Sequence, residues 1–366
     1  MAGSSFGTNF RITTWGETHG AGVGVVVDGC PAGLPLERED VQKYLDRRKP
    51  GQSKYTTQRK EGDQVEILSG IFEGRTTGTP ISMVVYNKDQ RSKDYSNIKD
   101  IYRPGHADFT FDMKYGFRDY RGGGRSSGRE TIGRVAAGAV AAKVLKELGI
   151  EIKAYAKAIA GIEVSKDHFD FAEMNNNPFN MPDKEAAKLV QEKADQMIKE
   201  MDSIGGIIEC QITGMPVGIG ETVFDKLDAE LSKAIMSIGS VKGFEIGDGF
   251  EAANLRGSEN NDDFICVDGK VEKETNHSGG VLGGMSDGSA IVFRAAIKPT
   301  PSIAQTQKTV NRDLDNVEIE IHGRHDPMIV PRAVVVVESM AAVTILDGVL
   351  KNLGATMDNI KKIYGE

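Results

Sequence analysis

The chain has 366 residues, of which 39% are hydrophobic and 27% charged; this is an ordinary globular composition, long enough to bury a sizeable core. Its formal net charge of -8 disfavours a nucleic-acid partner but is compatible with a local basic pocket. No segment has the pattern of a signal peptide or the length of a membrane span, so we expect a cytoplasmic protein without a membrane partner. Cys30, Cys210 and Cys266 stand far apart and in no metal-ligand spacing, which predicts buried thiols.

Helical and strand patterns alternate along the whole chain. In chain order they predict a strand at residues 23–28, a helix at 37–48, two strands within 65–87, a helix at 130–148 ended by Gly149, a strand at 151–164, a helix at 182–201, a strand at 205–214, a helix at 225–239, strands at 289–297 and 317–323, and a helix at 337–354. No linker, low-complexity tract or repeat marks a domain boundary. We therefore predict one α/β domain of the α+β type over residues 1–366.

A glycine-rich cationic stretch, YRGGGRSSGRETIGR at residues 120–134, is unusual in an acidic protein. Three consecutive glycines disfavour a helix, and Ser127 and Glu130 have the spacing of a capping box, so we expect the helix to begin after the glycines. Free backbone N–H groups and the helix dipole at that end favour an anion, and several arginines stand beside it. The alternative is a plain capped helix with solvated arginines. The stretch matches neither the Walker A nor the G-x-G-x-x-G motif.

Two of only six histidines lie in turns next to glycine: His19 in WGETHGAG and His106 in RPGHAD, where Arg103 precedes the turn. A lone histidine is more often structural than catalytic, but two in such turns favour acid–base chemistry. His322 and His325 lack a third ligand at a convincing spacing, so we expect no metal.

Two further loops carry polar or basic residues. Residues 46–60, DRRKPGQSKYTTQRK, are too polar and too broken by glycine and proline to be core, and by themselves they are typical of a solvated surface. Residues 276–288, NHSGGVLGGMSDG, form a second glycine-rich loop ahead of a strand, and Lys298 follows that strand in KPTPS.

Together these segments closely resemble the chorismate synthase family over nearly the whole chain. The resemblance is carried by GETHG, RRKPGQSKYTTQR, DQVEILSGIFEGRTTGTPI, DQRSKDY, RPGHAD, YGFRDYRGGGRSSGRE, GMPVGIGE, SIGSVKGFEIGDGF, NHSGGVLGG, KPTPS and GRHDP. Each motif alone is weak, but their order and spacing make chance agreement very small.

The resemblance implies a fold, a reaction and a cofactor. The family fold is a single sandwich with helices layered between two antiparallel sheets, assembled as a homotetramer. The family converts 5-enolpyruvylshikimate 3-phosphate to chorismate by an anti 1,4-elimination, using reduced FMN without net redox change. The phosphate and two carboxylates of this substrate, with the FMN phosphate, explain a need for clustered arginine, serine and glycine.

Site residues follow from the resemblance, position by position. The cofactor would be bound by five segments, with the residues Arg125, Ser126, Ser127, Gly239, Ser240, Gly283, Lys298, Pro299, Thr300, Pro301, Ser302 and Arg324. The anionic substrate would be bound by five cationic side chains: Arg48, Lys54, Arg103, Arg129 and Arg332. Three residues would take part in the chemistry: His106 beside the flavin, His19 as proton donor to the departing phosphate, and Asp326 in removal of the ring proton.

The chain departs from the family pattern at four positions. Thr18, Lys54, Gly239 and Pro301 stand where serine, arginine, asparagine and serine are frequent, and Lys54 replaces a bidentate fork by a point charge. None of these changes touches the three catalytic candidates, so we expect activity. No nicotinamide motif is visible, although some family members also reduce FMN with NADPH, so we expect dependence on an outside reductant.

Two rival functions use the same basic residues. A flavin-independent phosphate lyase or phosphotransferase would need a carboxylate pair for a metal or a Walker-type lysine, and neither is evident. A non-catalytic module for a phosphorylated ligand or RNA would be expected to expose aromatic side chains among its basic residues, for which Tyr55 and Tyr120 are the main candidates.

Overall fold

The computed structural model describes residues 3–57, 61–88, 98–321 and 326–365. Its strands are β1 Ser5–Phe6, β2 Arg11–Gly16, β3 Gly22–Asp28, β4 Val65–Ile67, β5 Ile71–Phe72, β6 Arg75–Thr76, β7 Ile81–Tyr86, β8 Glu151–Ile159, β9 Ile162–Glu163, β10 Gly206–Thr213, β11 Val241–Ile246, β12 Phe264–Val267, β13 Lys270–Lys273, β14 Val281–Leu282, β15 Met285–Ser286, β16 Ile291–Ile297, β17 Gln307–Val310 and β18 Asn316–Ile319. Its α-helices are α1 Arg38–Arg48, α2 Asp108–Tyr115, α3 Thr131–Glu147, α4 Lys184–Lys199, α5 Leu227–Met236, α6 Gly257–Asn260, α7 Val330–Lys351 and α8 Met357–Tyr364.

Two five-stranded antiparallel sheets form the outer layers. The first has the order β1-β2-β3-β7-β4 and the second the order β11-β16-β10-β8-β9. In β3, the alternate residues Val23, Val25 and Val27 are buried against the helices. This alternation is what a sheet with one face on the core requires.

Helices fill the space between the two sheets. Helices α1 and α3 pack on the first sheet, α5 and α7 pack on the second, and α3 and α7 pack on each other. Residues of α7 from Val334 to Asp347 are buried on every side, because this helix has neighbours in both directions. At the crossing of the two helices a Cβ on Gly138 would lie 2.2 Å from Ser339 Cβ, so glycine permits the close approach. The expected sandwich of helices between two antiparallel sheets is confirmed.

Most predicted elements are present, with shifted boundaries. Residues 65–87 contain the two expected strands as β4 and β7, with the short hairpin β5–β6 between them. Gly149 follows α3 with φ +76°, as expected of the residue after a helix. Ser127 caps the turn before α3 by accepting from Arg129 N, but Glu130 accepts from Thr14 and Arg134 instead of returning to Ser127, so half of the capping box was wrong.

The last long helix was predicted too short. Helix α7 begins at Val330, seven residues before the predicted start at Val337, because Pro331 occupies its first turn, where proline is favourable. By length and composition this helix also passes as a membrane span, yet 78% of its most apolar window is buried inside the protein. Its apolar character is therefore accounted for by the core.

Two of the three cysteines fulfil the expectation of burial. Cys30 and Cys210 are buried, whereas Cys266 on the hairpin β12–β13 is exposed, so the prediction was wrong for that thiol. No residue of β12 is buried, so Cys266 shares the exposure of its strand.

Candidate active site

A cavity of about 1000 Å³ opens at the N-terminal end of α3. Segments from distant parts of the chain line it: the glycine-rich turn before α3, the loop around His106, the turn at residues 237–240, the loop at 298–302 and the first turns of α7. Of the predicted site residues, the following line this cavity: Arg48, Arg103, His106, Arg125, Ser126, Ser127, Arg129, Gly239, Ser240, Lys298, Thr300, Pro301, Ser302, Asp326 and Arg332.

The glycine-rich turn is fastened to the first sheet by one arginine. Arg125 donates from Nη2 to Thr14 Oγ1 at 2.6 Å and from Nη1 to Gly16 O at 3.1 Å, both on β2. Ser126 Oγ donates to Gly123 O at 2.6 Å. The Arg125 guanidinium therefore anchors the turn, and the backbone at Gly124 and Gly128 is left open toward the cavity.

Two buried arginines share one carboxylate at the back of the cavity. Arg48 Nη1 lies 2.7 Å from Asp63 Oδ2, and Arg129 Nη1 lies 3.0 Å from Asp63 Oδ1. Arg48 also donates to Thr131 Oγ1 and to Gly128 O, each at 3.0 Å. Burial lowers the pKa of Arg48 to about 10, against the opposing effect of Asp63.

Two loops are joined around His106. His106 Nδ1 lies 2.9 Å from Pro104 O and Nε2 lies 2.9 Å from Ser302 Oγ. Lys298 Nζ donates to Gly105 O at 3.0 Å, and a Cβ on Gly105 would lie 2.7 Å from Pro301 Cβ. Burial, and then the positive charge of Arg103, lower the pKa of His106 below its usual 6.5.

Arg103 faces the same loop and is held by a carboxylate. Its Nε and Nη2 donate to the two oxygens of Asp108, each at 2.8 Å. Although burial acts to raise it, the pKa of Asp108 is lowered by this bidentate pair. The guanidinium is therefore oriented by Asp108 before any ligand is bound.

Asp326 is bound at both oxygens. Oδ1 accepts from Thr57 N at 2.8 Å and Oδ2 accepts from Arg332 Nη1 at 2.7 Å. Arg332 also donates from Nε to Arg48 O at 3.0 Å, so the pair lies beside the two arginines that share Asp63.

His19 lies behind the glycine-rich turn. A Cβ on Gly122 would lie 3.0 Å from His19 Cδ2 and 3.3 Å from Nε2, so glycine lets the turn lie against the imidazole edge. The cavity lining within the described residues contains its neighbours Glu17 and Thr18 but not His19 itself.

Of the remaining predicted cofactor and substrate positions, three are described by the structure and do not line the cavity. Lys54 is exposed and pairs with Asp195 of α4 at 2.8 Å, and Gly283 lies in the turn of the hairpin β14–β15. Pro299 packs against Gly205 and is not among the described lining residues. Arg324 lies outside the described residues.

Several groups at the site were missed by sequence reasoning. They are Thr18, Thr57, Glu61, Asp63, Asn87 and Lys242. Thr18 had a local signal, since it stands beside His19 in a glycine-flanked turn. Asp63 had none, because a single aspartate in a polar loop is ordinary until the fold places two arginines around it. No group of three His, Cys, Asp or Glu side chains suited to a metal occurs among the described residues.

Comparison with known proteins assigns the family. The family model described as chorismate synthase matches residues 10–350. The chain is 68% identical over 364 residues to the chorismate synthase of Lachnospira eligens, with 100% of both chains covered. It is 65% identical to that of Agathobacter rectalis, covering 100% of this chain and 99% of the other.

A solved structure shares the fold as well as the sequence. The crystal structure of a chorismate synthase superposes with a TM-score of 0.77 at 31% identity, covering 98% of this chain and 96% of the other. The fold that contains the cavity is therefore the fold of a solved chorismate synthase. The chain belongs to the chorismate synthase family, a family of lyases in aromatic amino-acid biosynthesis.

Proposed function

We propose that this protein converts 5-enolpyruvylshikimate 3-phosphate to chorismate by an anti 1,4-elimination of phosphate and a ring proton, with reduced FMN as cofactor. The observation that carries the proposal is the cationic wall of the cavity, to which Arg48, Arg129 and Arg332 contribute buried or nearly buried guanidinium groups. A phosphate and carboxylates are the groups that such a wall binds, because guanidinium donors match their oxygens in pairs.

The cavity has the size and the unsatisfied polar groups for both ligands. Its volume of about 1000 Å³ lies at the upper end for small-molecule sites. Four lining residues have buried atoms without a hydrogen-bond partner among the described residues: Thr18 Oγ1, Arg118 Nε, Arg129 Nη2 and Thr300 Oγ1. At three lining glycines a Cβ would meet no atom within 4 Å: Gly124, Gly128 and Gly239. Buried polar atoms need partners, and phosphate oxygens and the polar edge of a flavin would supply them.

The residues of the chain have separable roles in this reaction. When bound, reduced FMN supplies electron density as the allylic phosphate leaves and recovers it as the ring proton is lost. The arginines would bind the departing phosphate and hold the ring in place. His19 would donate a proton to the phosphate. Asp326, which accepts from Arg332 at 2.7 Å, would assist removal of the ring proton.

His106 is proposed to act next to the flavin. Pro104 O can only accept, so His106 Nδ1 carries a proton and the Nε2 lone pair of the neutral ring accepts from Ser302. A bound phosphate would raise the pKa of this imidazole, since an anion favours the protonated form. The remaining predicted flavin residues in the cavity form its turns at residues 125–127, 239–240 and 298–302.

We also propose a cytoplasmic homotetramer with small-molecule ligands and no nucleic-acid or membrane partner. The net charge of -8 and the family membership support this proposal. Light scattering coupled to size exclusion tests the assembly, for which a mass four times that of the chain is expected.

The reaction is tested anaerobically with purified protein, 5-enolpyruvylshikimate 3-phosphate and FMN, either oxidised or chemically reduced. Phosphate release and chorismate absorbance are followed together, and we expect equal amounts of both with reduced FMN alone. Turnover without flavin would instead support a flavin-independent lyase. Ligand binding without product in either flavin state would support a binding module, and would direct attention to Lys54, Gly239 and Pro301.

A further inference from the structure

Asp63 connects the two deepest arginines of the site without lining the cavity itself. Its carboxylate has no exposed area and gives one oxygen to each arginine, at 2.7 Å to Arg48 and 3.0 Å to Arg129. Its backbone has φ +42°, a left-handed conformation that costs energy for most residues and that surrounding contacts must maintain. Three buried charges thus form one unit behind the cavity wall.

The charges around this unit need a carboxylate at its centre. Burial lowers the pKa of Arg48, and the nearby positive charges of Arg332 and Arg129 lower it further. Asp63 opposes both effects, while Glu61 stands 3.5 Å from Arg129 and Asp326 binds Arg332. Two like charges in a buried wall repel each other strongly, so a shared counter-ion is what allows them to lie side by side.

The guanidinium groups of Arg48 and Arg129 differ in how many of their nitrogens have hydrogen-bond partners. Arg48 Nε and Nη2 bind Thr131 Oγ1 and Gly128 O, so each of its nitrogens has a partner. Arg129 Nε binds Asn87 Oδ1, but its buried Nη2 has no hydrogen-bond partner among the described residues. Arg129 is 8% exposed and lines the cavity. Nη2 lies 3.5 Å from Glu61 Oε2, an ion-pair distance without a hydrogen bond, so a ligand oxygen would supply the hydrogen bond that this nitrogen lacks.

We propose that Asp63 is a positioning residue: by holding Arg48 and Arg129 on its two oxygens, it turns Arg129 Nη2 toward an oxyanion of the bound substrate. This rests on the proposed function, since the oxyanion is taken to be a phosphate or carboxylate of 5-enolpyruvylshikimate 3-phosphate. Asp63 acts only through the arginines and touches no reacting atom.

The variant that tests the proposal is Asp63→Asn. Asparagine tolerates a left-handed backbone and keeps the shape of the side chain, but it presents an amide donor to one arginine and carries no charge. The matched control is Glu338→Gln, which breaks another carboxylate–arginine pair, in which the carboxylate is buried and the arginine is partly exposed. Arg47 donates to the two oxygens of Glu338 at 2.7 and 2.9 Å. Arg47 precedes Arg48 in the chain, but neither Arg47 nor Glu338 is among the described lining residues of the cavity.

Three quantities are measured for wild type and both variants. They are KM in steady-state kinetics with reduced FMN, FMN affinity by fluorescence, and the Kd for inorganic phosphate by calorimetric titration. We expect Asp63→Asn to raise KM and the phosphate Kd about tenfold or more, the loss expected when a charged pairing is removed. FMN affinity should change less than about twofold, and Glu338→Gln should lower thermal stability while leaving KM and phosphate affinity near wild type.

A purely structural role predicts a different result. Asp63→Asn would then lose stability, with KM and phosphate Kd within about twofold of wild type, and the proposal would be overturned. If wild type binds phosphate but gives no turnover, the proposed function fails and the phosphate titration alone decides the role of Asp63. If wild type binds no phosphate, the inference fails as well. If Asp63→Asn does not fold, Asp63→Glu keeps the charge but displaces it, and an unchanged KM in that variant contradicts the proposal.

Discussion

His106 Nε2 and Ser302 Oγ lie 2.9 Å apart and join two loops that are 196 residues apart in the chain. Because the other ring nitrogen faces the carbonyl of Pro104, the neutral imidazole carries its proton on Nδ1, and its Nε2 then accepts from the serine hydroxyl. The hydrogen bond to Pro104 thus selects the tautomer of a residue that we propose to act next to the flavin.

The lowered pKa of His106 predicts how the stability of the protein depends on pH. His106 has a folded-state pKa below 6.5, so it contributes stability that is fully present above pH 6.5 and is lost as the pH falls through the folded pKa. Ser302→Ala removes a donor that favours the neutral ring, and we expect the pKa of His106 to rise toward 6.5. Nitrogen NMR of labelled histidine, assigned with His106→Gln, reports both tautomer and pKa. A proton found on Nε2 in the free protein would contradict the assignment.

His106→Ala is expected to keep the fold and to lose most activity. Removing a positioned acid–base group costs about 10²- to 10⁴-fold in rate. His168→Ala is the matched control, because this histidine is half exposed, lies outside the described cavity lining and pairs with Glu185 at 3.4 Å. Turnover and melting temperature are measured for both variants, and near-wild-type turnover of His106→Ala would remove it from the mechanism.

Lys54 and Arg48 are expected to differ in their importance for substrate binding. Lys54 is exposed and paired with Asp195, whereas Arg48 is buried in the cavity wall. We expect Lys54→Ala to change KM less than about threefold. Arg48→Lys keeps the positive charge but loses the paired donors of the guanidinium group, and we expect it to raise KM about tenfold or more. If Lys54→Ala raised KM as much, the lysine would have to reach the ligand in a way that this single chain does not show.

One of the three thiols is expected to react readily in the native protein. Burial raises the pKa of Cys30 to about 11 and raises that of Cys210, whereas Cys266 is exposed. Since thiolate is the reactive form, an aromatic disulfide reagent at pH 8 should modify one thiol in the folded state and three in denaturant. Cys266→Ser should remove the fast phase, and two fast thiols in wild type would show that a buried cysteine is accessible.

The purified protein is expected to give no turnover supported by NADPH in air. No nicotinamide motif is visible in its sequence, and an outside reductant is therefore expected to supply reduced FMN. The measurement compares chorismate formation from FMN and NADPH in air with formation from chemically reduced FMN under nitrogen. Robust turnover in the aerobic reaction would overturn the expectation.

Much of the fold was predictable because its signals are local. Periodicity and turn residues identified β3, α1, α3, α4, α5 and most of the second sheet, since each depends on neighbours within a few positions. The start of α7 was missed because a run of valines with proline and arginine has no helical period, and only contacts on every side make it a core helix. The short strands and α2 carry too few residues for a pattern.

The sequence by itself determined the family and which chemical groups the protein has for its site, because the motifs are recognisable without their partners. The tertiary structure decided which partner each charge takes. Arg125 binds β2, Lys54 binds Asp195, and Asp63 lies between Arg48 and Arg129. These choices depend on distances between segments far apart in the chain, and burial makes each of them energetically important. No local pattern contains that information.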